Sequence, residues 1–314
     1  MANYVKISTI NTSALASNGL TGQAAVDRML AHWEATLQQV LPDKPDLIVI
    51  PEACDRYLDM VGEARLSYYR TRGNQVRDMM MAVAKKHHCY ITYSAARQLD
   101  DGSWRNSTQL IDRNGSIVGI YNKNHPVIEE TTMHGILAGK AAPVFECDFG
   151  TVACAICFDL NFDELRLKYV ASQPDIILFN SMYHGGIMQQ YWAYSCRSFF
   201  VGAICGLPGT IIAPNSRIIA ETTNHFKYLT ATVNLDSKLV HLDHNWDKLD
   251  QLKAKYGSDF KLDDTDYLGA VLISSESTER TIDEMIDEVD IELLDDYFQR
   301  SLDHRHTPGM MELC

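Results

Sequence analysis

Three short stretches of this 314-residue chain carry side chains suited to acid–base or nucleophilic chemistry. The first is Ala153-Cys154-Ala155-Ile156-Cys157-Phe158-Asp159, where an apolar strand-like run gives way to helix-forming sequence. A cysteine at such a corner is held by the sheet and faces backbone N–H groups at a helix start. Those donors are expected to lower its pKa from the unperturbed ~8.5 and to hold the oxygen that turns negative when a carbonyl is attacked. Local sequence fits Cys157 equally well as a small buried hydrophobe.

The second stretch is Leu47-Ile48-Val49-Ile50-Pro51-Glu52. A carboxylate directly after a buried strand sits at the sheet's carboxyl edge, where open α/β folds place their sites, and proline fixes the exit direction. Glu52 reads as a general base tuned by desolvation, or as an ordinary loop glutamate. The third stretch is Gly119-Ile120-Tyr121-Asn122-Lys123-Asn124-His125-Pro126. Lys123 at a strand end would stabilise a thiolate and an oxyanion; most lysines are only solvated charges. His125 is either a base for a Cys–His pair or a structural residue beside proline.

Cys154-x-x-Cys157 raises redox or zinc chemistry as a rival. Residues three apart on a strand project from opposite faces, and no second Cys-x-x-Cys supplies further ligands. Cys154 therefore reads as core, and neither metal nor cofactor is expected.

These groups need elements to position them. Strands are expected at Val5 to Ile10, Asp46 to Ile50, Tyr90 to Ser94, Ile176 to Phe179, Val201 to Cys205, Leu229 to Leu235 and Leu268 to Ile273. Hairpins are expected across Arg113-Asn114-Gly115-Ser116, around Gly150 and across Pro214-Asn215-Ser216, Asn-Gly being a strong turn signal. Helical spacing of Val26, Met29, Leu30, Trp33 and Leu37 predicts a helix from Gly22 to Val40; others are expected at Asn74 to His87, Phe162 to Ala171 and Ile187 to Phe200. Such mixed traffic with no internal linker argues for one layered α/β domain over residues 1–275. Residues 276–314 read as an acidic C-terminal helical extension: Glu276 to Asp296 holds ten acidic residues against Arg280. Its apolar stripe, Ile282, Met285, Ile286, Val289, Leu293 and Tyr297, needs a surface on the protein's own body or on a partner subunit.

Lys plus Arg number 28 and Asp plus Glu 41, a formal charge of −13. That charge repels phosphate backbones and anionic lipid heads, so neither nucleic acid nor a membrane is an expected partner. A small molecule fits better. The N-terminus runs straight into a strand with no basic stretch and apolar signal core. Eight cysteines lie scattered at 54, 89, 147, 154, 157, 196, 205 and 314, mostly in apolar runs. That is the pattern of reduced thiols and predicts a cytoplasmic location.

The order of the three stretches resembles the nitrilase, or carbon–nitrogen hydrolase, superfamily. The similar segments are Pro51-Glu52, Tyr121 to Pro126 and Ala155-Ile156-Cys157-Phe158-Asp159-Leu160-Asn161-Phe162-Asp163-Glu164-Leu165-Arg166, the last being the most specific. The likeness covers roughly residues 4 to 275. It implies a four-layer α-β-β-α sandwich, with Glu52 as general base, Lys123 as oxyanion stabiliser and Cys157 as nucleophile forming a thioester. It further implies a second glutamate beyond the lysine, where Glu129 and Glu130 both qualify and spacing favours Glu130. The backbone N–H of Phe158 would complete the oxyanion hole, and members are usually dimers or larger, pairing through the helices after the cysteine.

True nitrilases typically follow the cysteine with Trp-Glu. Phe158-Asp159 is more similar to the amidase and carbamoylase branches, so an amide or N-carbamoyl substrate is expected, with a nitrile or a non-catalytic binding role as alternatives. Asp163 replaces the family's proline before Glu164, and Ser195-Cys196-Arg197-Ser198 departs from its usual Arg-Ala-x-Glu-Asn. Tyr57, Tyr183, His184 and Trp192 are the expected pocket walls; each fits ordinary packing as well.

Overall fold

The apolar run at Leu47 demands cover on both faces, and the strand it forms, β2 (Leu47–Val49), is wholly buried. A computed structural model describes residues 1–312 and resolves two compact units: Val5–Val233, and Met1–Tyr4 together with the chain from Asn234 onward.

In the first unit β2 joins β1 (Tyr4–Ile10), β3 (Tyr90–Gln98), β4 (Trp104–Ile111), β5 (Ile117–Asn122) and β12 (Tyr228–Asn234) in a six-stranded sheet ordered β12-β1-β2-β3-β4-β5. The β1, β2 and β3 strands run parallel, with Ile7 beside Leu47 and Leu47 beside Tyr90, so β2 and β3 end at the same edge. The β3-β4-β5 meander is antiparallel and brings Ser107 opposite Asn122. The second sheet runs β11-β10-β9-β8-β7-β6, from β6 (Val144–Cys147), β7 (Gly150–Ile156), β8 (Ile176–Ser181), β9 (Phe199–Ile204), β10 (Thr210–Ile212) and β11 (Ile218–Glu221). Its β7, β8 and β9 strands are parallel.

The two sheets face each other across buried polar bridges. Asn180 Nδ2 donates to the Ile50 carbonyl at 2.5 Å, Thr108 Oγ1 to Asn180 Oδ1 at 3.0 Å, and Thr9 Oγ1 to the Gly202 carbonyl at 2.9 Å. Buried polar groups that find partners specify alignment without a desolvation penalty, and here they register β2 against β8. Helices α1 (Gly22–Leu37) and α3 (Gln75–His87) cover the first sheet, burying Val26, Met29, Trp33, Val76 and Met80 against Ile48, Ile50 and Ile91. Each such side chain contributes roughly 1.5–3 kcal/mol, which outweighs the missing side-chain cap bond at Thr21. Helices α5 (Asp163–Ser172) and α6 (Met188–Cys196) cover the second sheet, and Tyr169 donates to the Cys154 carbonyl at 2.8 Å. The layers run α-β-β-α, as expected.

Two further helices of this unit, α2 (Gly62–Arg72) and α4 (Ile128–Thr132), were not foreseen, nor was the helix Trp246–Tyr256 of the second unit. The expected helix Ile187 to Phe200 is also too long. It stops at Cys196, Arg197 turns left-handed with φ 58°, and β9 already begins at Phe199. The aromatic pair Phe199-Phe200 suits a buried strand between parallel β8 and antiparallel β10 better than a helix end.

The second unit holds an antiparallel sheet, β13-β15-β14, from β13 (Ser237–His241), β14 (Phe260–Asp263) and β15 (Ala270–Ser275), with α7 (Trp246–Tyr256), α8 (Ile282–Val289) and α9 (Leu294–Arg305). Ile282, Met285 and Ile286 bury against Val240, Leu252, Phe260, Val271 and Ile273, so the acidic segment's stripe finds its surface inside this unit. Thr281 and Glu284 cap α8 reciprocally, at 3.1 and 2.9 Å. The single stripe reading fails at Asp290, which is left-handed with φ 56° and splits it into α8 and α9. Tyr297 falls on α9 and stacks on His241 with centroids 4.0 Å apart. Seven cysteines are free thiols; Cys314 lies outside the described residues. Among those residues no helix is long and apolar enough to cross a membrane.

Candidate active site

The site assembles where β2, β5, β7 and β8 end. After Ile50 and Pro51 the chain leaves β2 through Ala53, which is left-handed at φ 47°, and Glu52 is 5% exposed. Its Oε1 accepts from Lys123 Nζ at 2.9 Å and from Asn106 Nδ2 at 2.7 Å; its Oε2 accepts from the Met182 N–H at 3.1 Å. The ladder positions that amide: Ser181, the last residue of β8, bonds the Tyr183 N–H and carbonyl and turns Met182 toward Glu52.

Lys123 follows β5 and is 2% exposed. Its N–H donates to the Asn106 carbonyl and its carbonyl accepts from Gly139, at 2.9 and 2.7 Å. A Cβ at Gly139 would stand 2.3 Å from the Asn122 carbonyl oxygen, so only glycine lets this loop segment approach the lysine so closely. Lys123 Nζ donates to Glu130 Oε2 at 2.7 Å as well. Glu130 belongs to the short α4 and accepts from the Val127 N–H with the same oxygen at 2.9 Å. Glu129 points to solvent. Of the two glutamates considered, the geometry brings Glu130 to the lysine.

These charges set one another. Lys123 is raised above its ordinary 10.5, because the attraction of the carboxylates of Glu52 and Glu130 outweighs the burial that would lower it. Glu130 is lowered despite its burial, chiefly by Lys123 and then by the Asn106 bond. The cluster is an ion triad whose Coulombic gain offsets desolvation because each charge has several partners.

Cys157 is the first residue past β7 and opens a 3₁₀ turn, Cys157–Asn161. At φ 48° it sits in the left-handed region that L-residues avoid. The thiol faces Glu52, Lys123 and the Met182 N–H. The expectation of a lowered thiol pKa is overturned. Burial, then the negative charge of Glu52, push the group up to about 12, and Lys123 and the Met182 amide only partly oppose them. At rest Cys157 is thus a thiol beside a carboxylate.

Asp159 ties the cysteine corner to the lysine loop. Fully buried, it accepts from Tyr121 Oη at 2.6 Å, the Ile156 N–H at 3.0 Å, and the His125 N–H and Nδ1 at 2.8 and 2.9 Å. The His125 ring lies flat on Phe162 at 4.0 Å. His125 is therefore a strut in this network. Cys154 is buried within β7 and belongs to the core.

The expected pocket walls divide. Tyr183 lies beside Cys157 and Asn161. Phe158 is 37% exposed on the 3₁₀ turn, its ring edge-on to Phe162. His184 is half-buried, and its Nδ1 accepts from Gly186 at 3.2 Å. Tyr57 and Trp192 are not wall residues. Tyr57 is fully buried with its hydroxyl on the Ala25 carbonyl at 2.8 Å, and Trp192 is buried with Nε1 on the Leu160 carbonyl at 3.1 Å. The cleft that does open beside the cluster, about 610 Å³ with its mouth included, is lined by Asn106 and Glu130 together with Arg56, Arg65, Tyr69 and Trp104. Asn106, Met182 and both arginines escaped the sequence reading. An Asn inside a strand and a Met after one carry no signal of their own.

The profile of the carbon-nitrogen hydrolase family matches residues 14–242. The chain belongs to that family, and is a hydrolase of carbon–nitrogen bonds. Among curated relatives it is similar to a hydrolase in the agr operon of Staphylococcus lugdunensis, 28% identical over 203 residues that cover 58% of this chain and 77% of that protein. It is also similar to a beta-ureidopropionase of Arabidopsis thaliana, 30% identical over 149 residues, 43% of this chain but 36% of the plant protein. In fold it resembles Saccharomyces cerevisiae Nit3, a member of branch 10 of the nitrilase superfamily, with TM-score 0.59, 14% identity and coverage of 74% and 90%. An amidase from Nesterenkonia sp. superposes with TM-score 0.60, 14% identity and coverage of 73% and 89%.

Proposed function

We propose that this chain hydrolyses the C–N bond of a small amide or N-carbamoyl compound through a thioester on Cys157, releasing ammonia or an amine together with a carboxylic acid, which from an N-carbamoyl compound is a carbamic acid that loses carbon dioxide. The observation that carries the reading is the buried ion triad of Glu52, Lys123 and Glu130 facing one thiol at the end of β7.

The chemistry follows from the charges. A thiol held near pKa 12 is a poor nucleophile until its proton moves, and Glu52 is the carboxylate it faces. As Cys157 Sγ attacks the carbonyl carbon, Glu52 takes the thiol proton. The oxygen that becomes negative is met by Lys123 and by the N–H of Phe158. Glu52 passes the proton to the leaving nitrogen, the C–N bond breaks, and the acyl group stays on sulfur. Glu52 then takes a proton from water, whose oxygen attacks the thioester carbon; the C–S bond breaks, the acid leaves, and Glu52 returns the proton to Cys157 Sγ. Two moderate barriers replace one high one. Glu130 keeps Lys123 charged and directed at this point.

A reducing cytosol suits the free thiols. A homo-oligomer suits the exposed apolar side chains of Leu167 on α5 and Tyr191 on α6, with Ile187 just before it. The test is to assay ammonia release from primary amides, N-carbamoyl compounds and nitriles side by side, for the natural chain and Cys157→Ala. Amide or carbamoyl turnover that vanishes in the variant is expected. Equal turnover in both proteins overturns the nucleophile, and turnover of nitriles alone overturns the substrate class.

A further inference from the structure

The cleft beside Glu130 is positively charged in a chain of net charge −13. The half-buried Arg28, Arg97 and Arg105 of this unit donate to neutral oxygens, of Ser17, of Asn122, and of Ser103 and Trp104, while other arginines pair with carboxylates. Arg72 meets Asp55 at 2.8 Å, and Arg113 meets Asp46 and Asp148 at 2.9 and 2.7 Å. Arg56 and Arg65 are the two arginines that line this cleft. Both are half-buried on the cleft wall, and among the described residues neither has a carboxylate within ion-pair distance. Glu130, the one acid lining the cleft, is already engaged by Lys123 and Asn106.

Their attachments leave them facing the cavity. Arg65, on α2, donates through Nε to the Met60 carbonyl at 2.9 Å and through Nη1 toward His134 Nε2 at 3.3 Å. That His134 contact suits a neutral imidazole acceptor; burial and then the two arginines lower the pKa of His134. Arg56 sits four residues beyond Glu52, and its guanidinium reaches the Met182 sulfur. Met182 is the residue whose N–H holds Glu52 and faces the Cys157 thiol. Arg56 is thus linked through one residue to the reacting groups, with Arg65 beyond it. Arg65 is lowered by burial first, and the repulsion of Arg56 adds to this against an opposing effect of Tyr69, as expected of two cations that share one recess. Between them Leu66, Tyr69, Trp104 and Ile136 offer apolar wall.

Resting on the amide-hydrolase reading, we infer that the substrate carries a carboxylate at the end remote from the scissile bond, received by Arg56 and Arg65 across a short apolar spacer. Guanidinium and carboxylate match in shape and charge. A carboxylate arriving here supplies the partner that the fold withholds, and the apolar wall takes the methylenes between it and the amide. The recess discriminates against cationic amides by repulsion and against neutral ones by leaving the two guanidiniums unpaired.

The experiment compares kcat/KM for the monoamide of glutaric acid, for pentanamide as its neutral counterpart and for 5-aminopentanamide as the cation. In the natural chain the acid amide is expected to lead pentanamide by roughly ten- to a hundredfold, mostly in KM, the span of a charged hydrogen bond. In Arg65→Met and Arg56→Met that ratio is expected to fall toward unity, with Arg65→Lys keeping part of it. Using the ratio within each protein cancels any general loss of activity. A natural-chain ratio at or below one, with pentanamide hydrolysed and Cys157→Ala inactive, overturns the inference and leaves the hydrolase reading standing. A ratio unchanged in Arg65→Met overturns it too. Calorimetry of glutarate on Cys157→Ala separates the two claims: binding lost in the Cys157→Ala/Arg65→Met double variant supports the carboxylate site even if no amide is turned over, and absence of glutarate binding to Cys157→Ala refutes it.

Discussion

One amide nitrogen, Nδ2 of Asn106, donates to Glu52 Oε1 at 2.7 Å and to Glu130 Oε1 at 2.9 Å. Two carboxylates so close repel unless donors stand between them. Asn106 and Lys123 both fill that role, and Asn106 does so without adding charge. Asn106→Leu keeps the size and removes the donor. Its kcat is expected to fall about ten- to a hundredfold with a smaller change in KM, as for loss of one preorganised donor. Steady-state kinetics on one accepted amide checks this; an unchanged kcat would show the bridge to be mere packing.

The ion triad sets a pH window for stability. Glu130 is lowered from 4.5, so its contribution is fully present above pH 4.5 and is lost as pH falls through the lower folded value. Lys123 is raised from 10.5, so its contribution is fully present below pH 10.5 and is lost as pH rises through the higher folded value. Denaturant midpoints are expected to decline outside that range, and Glu130→Gln to flatten the acid limb. An acid limb equally steep in the variant would contradict the pairing.

The thiol predicts a second pH dependence. An ordinary cysteine with pKa 9.0 approaches full alkylation rate near pH 10, whereas Cys157, pushed up to about 12, does not. Iodoacetamide labelling of Cys157 in the free enzyme, followed by peptide mass, is expected to keep rising through pH 10. Glu52→Gln removes the charge that raises the thiol and is expected to move the curve to lower pH. A plateau by pH 8 in the natural chain would mean a resting thiolate.

Asp159 is the strut between the lysine loop and the cysteine corner. Asp159→Ala strands Tyr121, His125 and the Ile156 N–H without their buried acceptor. Orphaned buried donors cost about 1–3 kcal/mol each, so a loss of roughly 3 kcal/mol or more is expected by urea titration. Asp159→Asn, which keeps part of the network, should recover stability ahead of activity. If the alanine variant matched the parent in both, the strut would carry nothing.

The layered fold was readable because its strands announce themselves. Leu47 to Ile50 and Val152 to Ile156 are apolar on both faces, and each ends beside a residue with chemistry, Glu52 or Cys157. Helix α2 escaped notice because its inward side is tyrosine and arginine, with Tyr68, Tyr69 and Arg72 buried where a period reading looks for aliphatics. The break at Asp290 depends on a backbone angle, and aspartate tolerates it without advertising it. The site was half readable. Glu52, Lys123 and Cys157 stand at strand ends, but Asn106 lies within β4 and acquires its role only from what the β5 pairing brings opposite. The thiol's raised pKa was misjudged for the same reason: the sequence displays the nearby N–H donors, while the burial and the facing carboxylate belong to the assembled sheets.

The most direct measurement is the mass of the protein during turnover. Quenched within the first turnovers of an accepted amide and mapped by peptide mass, the chain is expected to carry the substrate's acyl group on Cys157 and on no other cysteine. Hydroxylamine is expected to remove it, as it removes a thioester. Sustained hydrolysis with no acyl adduct at Cys157, or an adduct on a different residue, would contradict the account.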